Sequence, residues 1–162
     1  MRLALPSAVE RLLPQSDNSI VIATLARQLW TIEFHPEFEP WAQALPDADQ
    51  EALLAALEVL GERGPSLGRP LVDHIEGSAH QNMKELRPGS TGRTEIRVLF
   101  AFDVERRAIL LVGGDKSDDW KGWYRRNIPI ADQRFSVHQA KLRERQKATA
   151  KKVHKRKKGK GR

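Results

Sequence analysis

Three segments decide how this chain folds: MKELR at Met83–Arg87, EIRVLFAFD at Glu95–Asp103, and AILLVGGDK at Ala108–Lys116. In the middle segment Ile96, Val98, Phe100 and Phe102 share one parity, while Glu95, Arg97, Leu99 and Ala101 share the other. That is the period-two pattern of a strand with two unlike faces. Val104–Arg107 fits a turn, so the second and third segments read as a hairpin of two central strands. Each segment also delivers a cation: Lys84 and Arg87, then Arg97, then Lys116 just past Gly113 and Gly114. Charges inside strands need partners if they are buried. Several gathered on one small sheet point to an anionic ligand, most readily a phosphodiester backbone.

Working outward, Trp30, Ile32 and Phe34 alternate with Thr31 and Glu33, which predicts a further strand stopped by His35-Pro36. A short helix fits Phe38–Leu45. A longer one follows, with Asp47 and Gln50 at capping-box spacing and Leu53, Ala56, Leu57 and Leu60 on one face. Gly61, Gly64 and Pro65 end it. The polar stretch Ser66–Asn82 is read as a crossover. Beyond Lys116, Ser117-Asp118-Asp119 leads into a helix over Trp120–Asn127, and Pro129 suits the first turn of a last helix through Ala131, Phe135 and His138. The expected fold is therefore α+β: an N-terminal strand and helical hairpin packed on one face of an antiparallel sheet, with a C-terminal helix. Residues 1–28 are expected to be a weakly ordered extension with a short helix at Ser7–Leu13, 29–142 the folded domain, and 143–162 a basic tail.

Composition narrows the function classes. The 162 residues contain no cysteine, which excludes disulfides and zinc–thiolate sites. The apolar run Ile20–Ala26 is far shorter than the ~20 residues of a membrane span, and the polar residues of Met1–Gln28 break any secretory leader. A cytoplasmic protein with no membrane partner is expected. The net charge of +7 is unevenly distributed. Lys141–Arg162 holds 12 Lys and Arg against Glu144 alone, whereas Trp30–Ala79 has two basic and ten acidic residues, and His80–Pro129 ten basic and seven acidic. The sequence thus has an acidic front, a locally cationic sheet and a strongly basic end.

The order of these elements, with Glu85-Leu86-Arg87, Arg97-Val98-Leu99-Phe100, Leu110–Lys116 and Ile128-Pro129-Ile130-Ala131-Asp132, resembles the RelE/HigB-like toxins of bacterial type II toxin–antitoxin systems. The match is to their phage-derived HigB-like branch and covers about Trp30–Leu142. The resemblance implies a ribosome-dependent messenger-RNA endonuclease that uses no metal or other cofactor. It also implies a small cognate antitoxin, of helix-turn-helix type, that holds the toxin inactive. Two departures stand out. The family's Lys-Lys-Thr run at the last strand's end is here Lys116-Ser117-Asp118-Asp119, and Glu85 occupies the place of a second strand cation in RelE.

RNA can be cut without a metal when its 2′-hydroxyl attacks the adjacent phosphate. This requires a proton acceptor, positive charge on the phosphate and a donor to the leaving oxygen. Arg87, Arg97 and Lys116 are the candidates for charge and proton transfer, and Tyr124 for proton donation or base stacking. Lys84, Arg93, Lys121, Arg125 and Arg126, with Lys151, Lys152 and Lys155 of the tail, are the candidate RNA contacts; Lys84 ranks lower because it alternates against Arg87. Each has a plainer alternative. Arg87 with Glu85, or Arg97 with Glu95, suits a surface ion pair, Lys116 suits a solvated turn, and the tail suits a solubilising extension. Trp120 and Trp123 are read as core, and His80 as structural before functional. Two other functions stay open: a gyrase inhibitor on the same fold, or a nucleic-acid-binding module acting through its tail.

Overall fold

The alternation in β4 (Ile96–Phe102) and β5 (Arg107–Asp115) places these strands at the centre of a five-stranded sheet of order β1-β5-β4-β3-β2. The computed structural model describes residues 30–89 and 92–159, so the expected N-terminal helix at Ser7–Leu13 lies outside the described residues. β1 (Thr31–Phe34) runs parallel to β5; β3 (Met83–Leu86) and β2 (Val72–His74) extend the other side antiparallel. The sheet is therefore mixed through its first strand, within the α+β fold expected. β2 lies inside the stretch read as a crossover. Its three residues carry no periodic signal and are ordered by pairing with Leu86, Glu85 and Lys84.

The two parities of β4 pack against different layers. Val98 and Phe100 join Ile32, Phe34, Leu53, Leu57 and Leu60 under α1 (Glu39–Gln43) and α2 (Asp47–Arg63). Leu99 and Ala101 join Met83, Ile109, Trp123, Ala131 and Phe135 under α3 (Trp120–Gly159). Helices thus cover both faces rather than one. A strand buried on both sides needs apolar residues at every position, which is why Ala108–Val112 reads as an unbroken apolar run.

α3 is one helix of 40 residues with Pro129 inside it, not two helices divided at the proline. Trp123, Ala131, Phe135 and Leu142 are buried along it, so its apolar stripe is held before and after the proline, offsetting the lost backbone bond. Asn127 Nδ2 donates to the Trp123 carbonyl (2.8 Å) in the turn that the proline disturbs. The capping box at the start of α2 does not form. Its N-cap is Pro46, and Gln50 instead donates to the Gln43 carbonyl (2.8 Å), joining α1 to α2. At the far end Gly64 has φ +56°, and a Cβ there would lie 2.2 Å from the Trp30 indole nitrogen, so glycine is required twice over. Among the described residues, no helix is long and apolar enough to cross a membrane.

One register irregularity positions the site. Leu99 pairs with Val112, but Phe100 pairs with Leu110, so Leu111 is an extra residue in β5. Leu111 and Val112 consequently both face α3. The Leu111 carbonyl accepts from Arg134 Nη1 of α3 (2.6 Å), and Arg134 Nη2 pairs with Glu37 (2.7 Å).

The β4–β5 turn is held by Asp103, whose side chain is almost fully buried. Oδ1 accepts from the backbone N–H of Glu105 (2.9 Å) and Arg107 (3.0 Å). Oδ2 accepts from Arg107 Nε and lies 2.8 Å from His138 Nε2 of α3. Burial pushes the Asp103 carboxyl upward, but the bonds from His138 and Arg107 outweigh it and hold its pKa below the ordinary value. A depressed carboxyl pKa contributes stability above the unfolded value, about 3.9, and that stability is lost as pH falls through the folded value. Asp103→Ala is expected to destabilise the fold by roughly 3 kcal/mol at neutral pH. Urea unfolding at pH 7 and pH 3 checks this; a loss of equal size at both pH values would refute the electrostatic account.

Candidate functional site

The Leu111 bulge decides which face the end of β5 presents. One extra residue inverts the parity of everything after it. Gly113 then lies against Trp41 of α1, where a Cβ would come within 2.0 Å of the ring, and Gly114 lies against Trp123 of α3, 2.2 Å from its indole nitrogen. Lys116 follows Gly114 by two and so shares the α3 side of the sheet. Met83, which packs in that same layer, puts Glu85 and Arg87 there too. The strand parity and the bulge together bring Glu85, Arg87 and Lys116 to one place.

That place is an open cleft of about 460 Å³ lined by His74, Ile75, Glu76, Glu85, Arg87, Lys116, Trp120, Tyr124 and Ile128. Its floor is a hydrogen-bonded chain. Glu85 is 1% exposed, and its Oε2 accepts from the Tyr124 hydroxyl at 2.5 Å. Its Oε1 accepts from Arg87 Nε at 2.7 Å, and Arg87 Nη2 also reaches Asp73 of β2 at 2.9 Å. Nη1 takes no part in those bonds. Lys116 Nζ lies 3.2 Å from Glu95 at the mouth.

Burial and then the Glu85 carboxylate push the Tyr124 phenol well above the ordinary tyrosine value; Arg97 and Arg87 offset only part of this. Burial pulls the Arg87 guanidinium down, but the bond to Glu85 and the charges of Glu85 and Asp73 outweigh it, so the net shift is upward. Arg87 is therefore a fixed charge. The tyrosine is a neutral donor at physiological pH, with a charged acceptor already in place.

Three of the four candidate catalytic residues, Arg87, Lys116 and Tyr124, line the cleft. Arg97 lies beside it. Arg97 and Arg87 each sit one residue past the pair Leu86–Val98, and Arg97 opposes Gly114. It is close enough to lower the pKa of both Tyr124 and Asp115, and it turns Nη1 back onto the Ile96 carbonyl at 2.8 Å. Lys84 points the other way, sharing its face with Leu86 and Phe100. Arg93 is exposed in the β3–β4 connection, and Lys121, Arg125 and Arg126 are exposed on the first turns of α3. Arg126 pairs with Asp119 (3.1 Å), and Lys121 lies 5.4 Å from the Trp120 ring centroid. Lys151, Lys152 and Lys155 are exposed on α3, many turns from the cleft.

Trp120 is corrected: expected in the core, it is 56% exposed and forms part of the cleft wall, because α3 begins there and its first residue overhangs the sheet. Trp123 is core. His80 is outside the cleft; its Nε2 lies 2.8 Å from Ser136 Oγ and its ring packs edge-on against Phe135. With Ser78 and the Ala79 N–H bonded to Asp132, it fastens the loop before β3 to α3. Glu85 is the site residue that the sequence reading left out. Its signal was a carboxylate in the strand two positions from Arg87, and its second partner lies 39 residues away.

Residues 40–136 match the model of the phage-derived Gp49-like protein family. The chain belongs to that family. It is 48% identical over 130 residues to the candidate toxin HigB2 of Mycobacterium tuberculosis, covering 80% of this chain and 62% of that protein, so it spans under two thirds of that relative's length. It is 52% identical over 99 residues to the candidate toxin HigB3 of the same organism, covering 61% of this chain and 84% of that one. Among solved structures, a chain of the archaeal RelE–RelB complex from Pyrococcus horikoshii OT3 aligns with TM-score 0.41 at 19% identity, over 55% of this chain and 97% of the other.

Tyr124 is the one tyrosine of this Gp49-like protein, so an alkaline absorbance titration reads this phenol alone. The wild type is expected to titrate well above the ordinary value of about 10. Glu85→Gln removes the charge and leaves the burial, so the midpoint should fall toward the ordinary value without reaching it. An unchanged midpoint would refute the Glu85–Tyr124 contact.

Proposed function

We propose that this chain is the toxin of a toxin–antitoxin pair and that it cuts RNA in the cleft, acting on messenger RNA at the ribosome and restrained by an antitoxin protein. The observation that carries the reading is the chain Arg87–Glu85–Tyr124, opening beside Lys116 onto one cleft large enough for a nucleotide. The family membership and the names of the HigB2 and HigB3 relatives support the toxin role.

The reaction class is transesterification. The 2′-oxygen forms a bond to phosphorus, the P–O5′ bond breaks, one proton leaves the 2′-hydroxyl and one is delivered to O5′. In this reading Tyr124 takes the 2′-proton as it passes its own to the Glu85 carboxylate, so that no free phenolate is required. Arg87, through Nη1, and Lys116 bear on the non-bridging phosphate oxygens, where negative charge grows. Lys116 is also the ammonium nearest the mouth and the donor to O5′. Arg97 tunes the field beneath without touching the nucleotide.

Induced expression without an antitoxin, with 5′-end mapping of cellular messenger RNA, tests the proposal. Wild type is expected to create new ends inside translated regions. Arg87→Ala and Tyr124→Phe are expected to lower their yield at least ~100-fold, and Arg97→Ala by less. Growth arrest with no new ends would replace the nuclease reading with the gyrase-inhibitor one. Ends that persist in Arg87→Ala and Tyr124→Phe would remove the cleft from the chemistry.

A further inference from the structure

α3 has two parts with different surroundings. Leu142 is its last buried side chain, and every residue from 143 to 159 is exposed. Lys141–Lys158 contains ten Lys and Arg and one acid, Glu144. Among the described residues the one ion pair on this stretch is Lys147–Glu144, at 3.5 Å. At about 100° per residue, the cations cover most of the circumference and leave one narrow sector bare, in which Leu142, Gln146, Thr149 and Val153 lie. Ala150 and Val153 lie on one side and Ala148 on another, and the bare sector also holds the polar Gln146 and Thr149, so there is no continuous apolar stripe past Leu142. A helix that docks on a protein lays down such a stripe. A helix that is positive around most of its girth instead matches a polyanion whose phosphates approach from several directions.

The cleft has the opposite character. Arg87 is matched by Glu85 and Asp73, Lys116 by Glu95, and Glu76 adds a further acid to the wall. Little net attraction for RNA is left there. Distance also separates the two features: Tyr124 and Lys151 lie 27 positions apart on one helix, about 40 Å at 1.5 Å per residue. A strand of a few nucleotides held in the cleft does not reach the distal cations.

We propose that residues 143–159 form a docking arm for structured RNA, gripping phosphates without reading sequence and supplying the affinity that the charge-matched cleft lacks. The second clause rests on the cleft binding RNA; the arm's own binding does not.

The test uses the full chain with Arg87→Ala, which keeps the RNA intact, against the same chain carrying Lys151→Gln, Lys152→Gln, Lys155→Gln, Lys157→Gln and Lys158→Gln. Gln and Lys have similar helix propensity, and circular dichroism confirms that the helix is retained. The probes are an RNA hairpin of about 20 base pairs and a single strand of about four nucleotides, titrated across salt concentration. For the hairpin, the salt slope is expected to fall by about four and the low-salt affinity by more than about 100-fold. Binding of the short strand, which offers about three phosphates, should weaken far less. An unchanged hairpin slope, equal weakening of both probes, or tighter binding to duplex DNA of the same length would each overturn the arm. Because cleavage is disabled throughout, failure of the nuclease reading cannot imitate any of these outcomes.

Discussion

The extra residue at Leu111 is the constraint on which the site depends. Without it, β5 would continue its parity and Lys116 would emerge under α1, on the far side of the sheet from Glu85 and Arg87. With it, the strand's last residues turn over. Gly113 accommodates Trp41, Gly114 accommodates Trp123, and the lysine arrives on the face that α3 covers. A bulge leaves ladder groups without their strand partner, and here the Leu111 carbonyl is met by Arg134 from α3. The helix that roofs the cleft therefore also holds the irregularity that aims its lysine. Arg134, Trp123 and Tyr124 come from one rigid element, so the cleft and the bulge cannot be set independently.

Glu85 supplies the second half of the logic. A carboxylate at 1% exposure must be paired to remain charged in the fold. It has a cation on one oxygen and a phenol on the other. Each partner is thereby fixed: Arg87 loses rotational freedom and keeps its charge, and the Tyr124 hydroxyl is aimed at the carboxylate. The acid stands two positions from the cation that it organises, on the same strand face. The cleft is thereby charge-matched, with Glu85 and Asp73 around Arg87 and Glu95 beside Lys116.

Much of the fold was legible because period-two and period-3.6 patterns report burial directly. Ile96–Phe102 declared both its faces, and Leu53–Leu60 declared one. What was not legible depended on partners distant in sequence. β2 is three residues long and exists because β3 is beside it. Pro129 looks like a helix start to any local rule, yet Trp123 before it and Phe135 after it pack in the same layer, and tertiary packing overrides the local preference. The bulge is invisible within Ala108–Val112 because a strand apolar on both faces has no parity to read. For the site, the strand cations could be identified, but the acid between them could not. A strand Glu beside an Arg looks like a surface pair until the tyrosine of a distant helix closes over it.

The distribution of charge follows from the same separation. Positive charge favours the deprotonated form of every titratable neighbour, so cations concentrated around Glu85 would lower its basicity. Arg87 and Asp73 balance around Glu85 and leave the cleft nearly neutral. The exposed cations of the distal helix lie beyond the reach of that field. At physiological ionic strength interactions are screened over about 8 Å, and the distal turns of α3 lie several times farther from Glu85 than this. A long helix serves both demands: its first turns close the cleft with Trp120 and Tyr124, its middle is tied to the sheet by Phe135 and His138, and its last turns extend past Leu142 with their charge exposed. One continuous element through Pro129 is what keeps the two ends at a fixed distance.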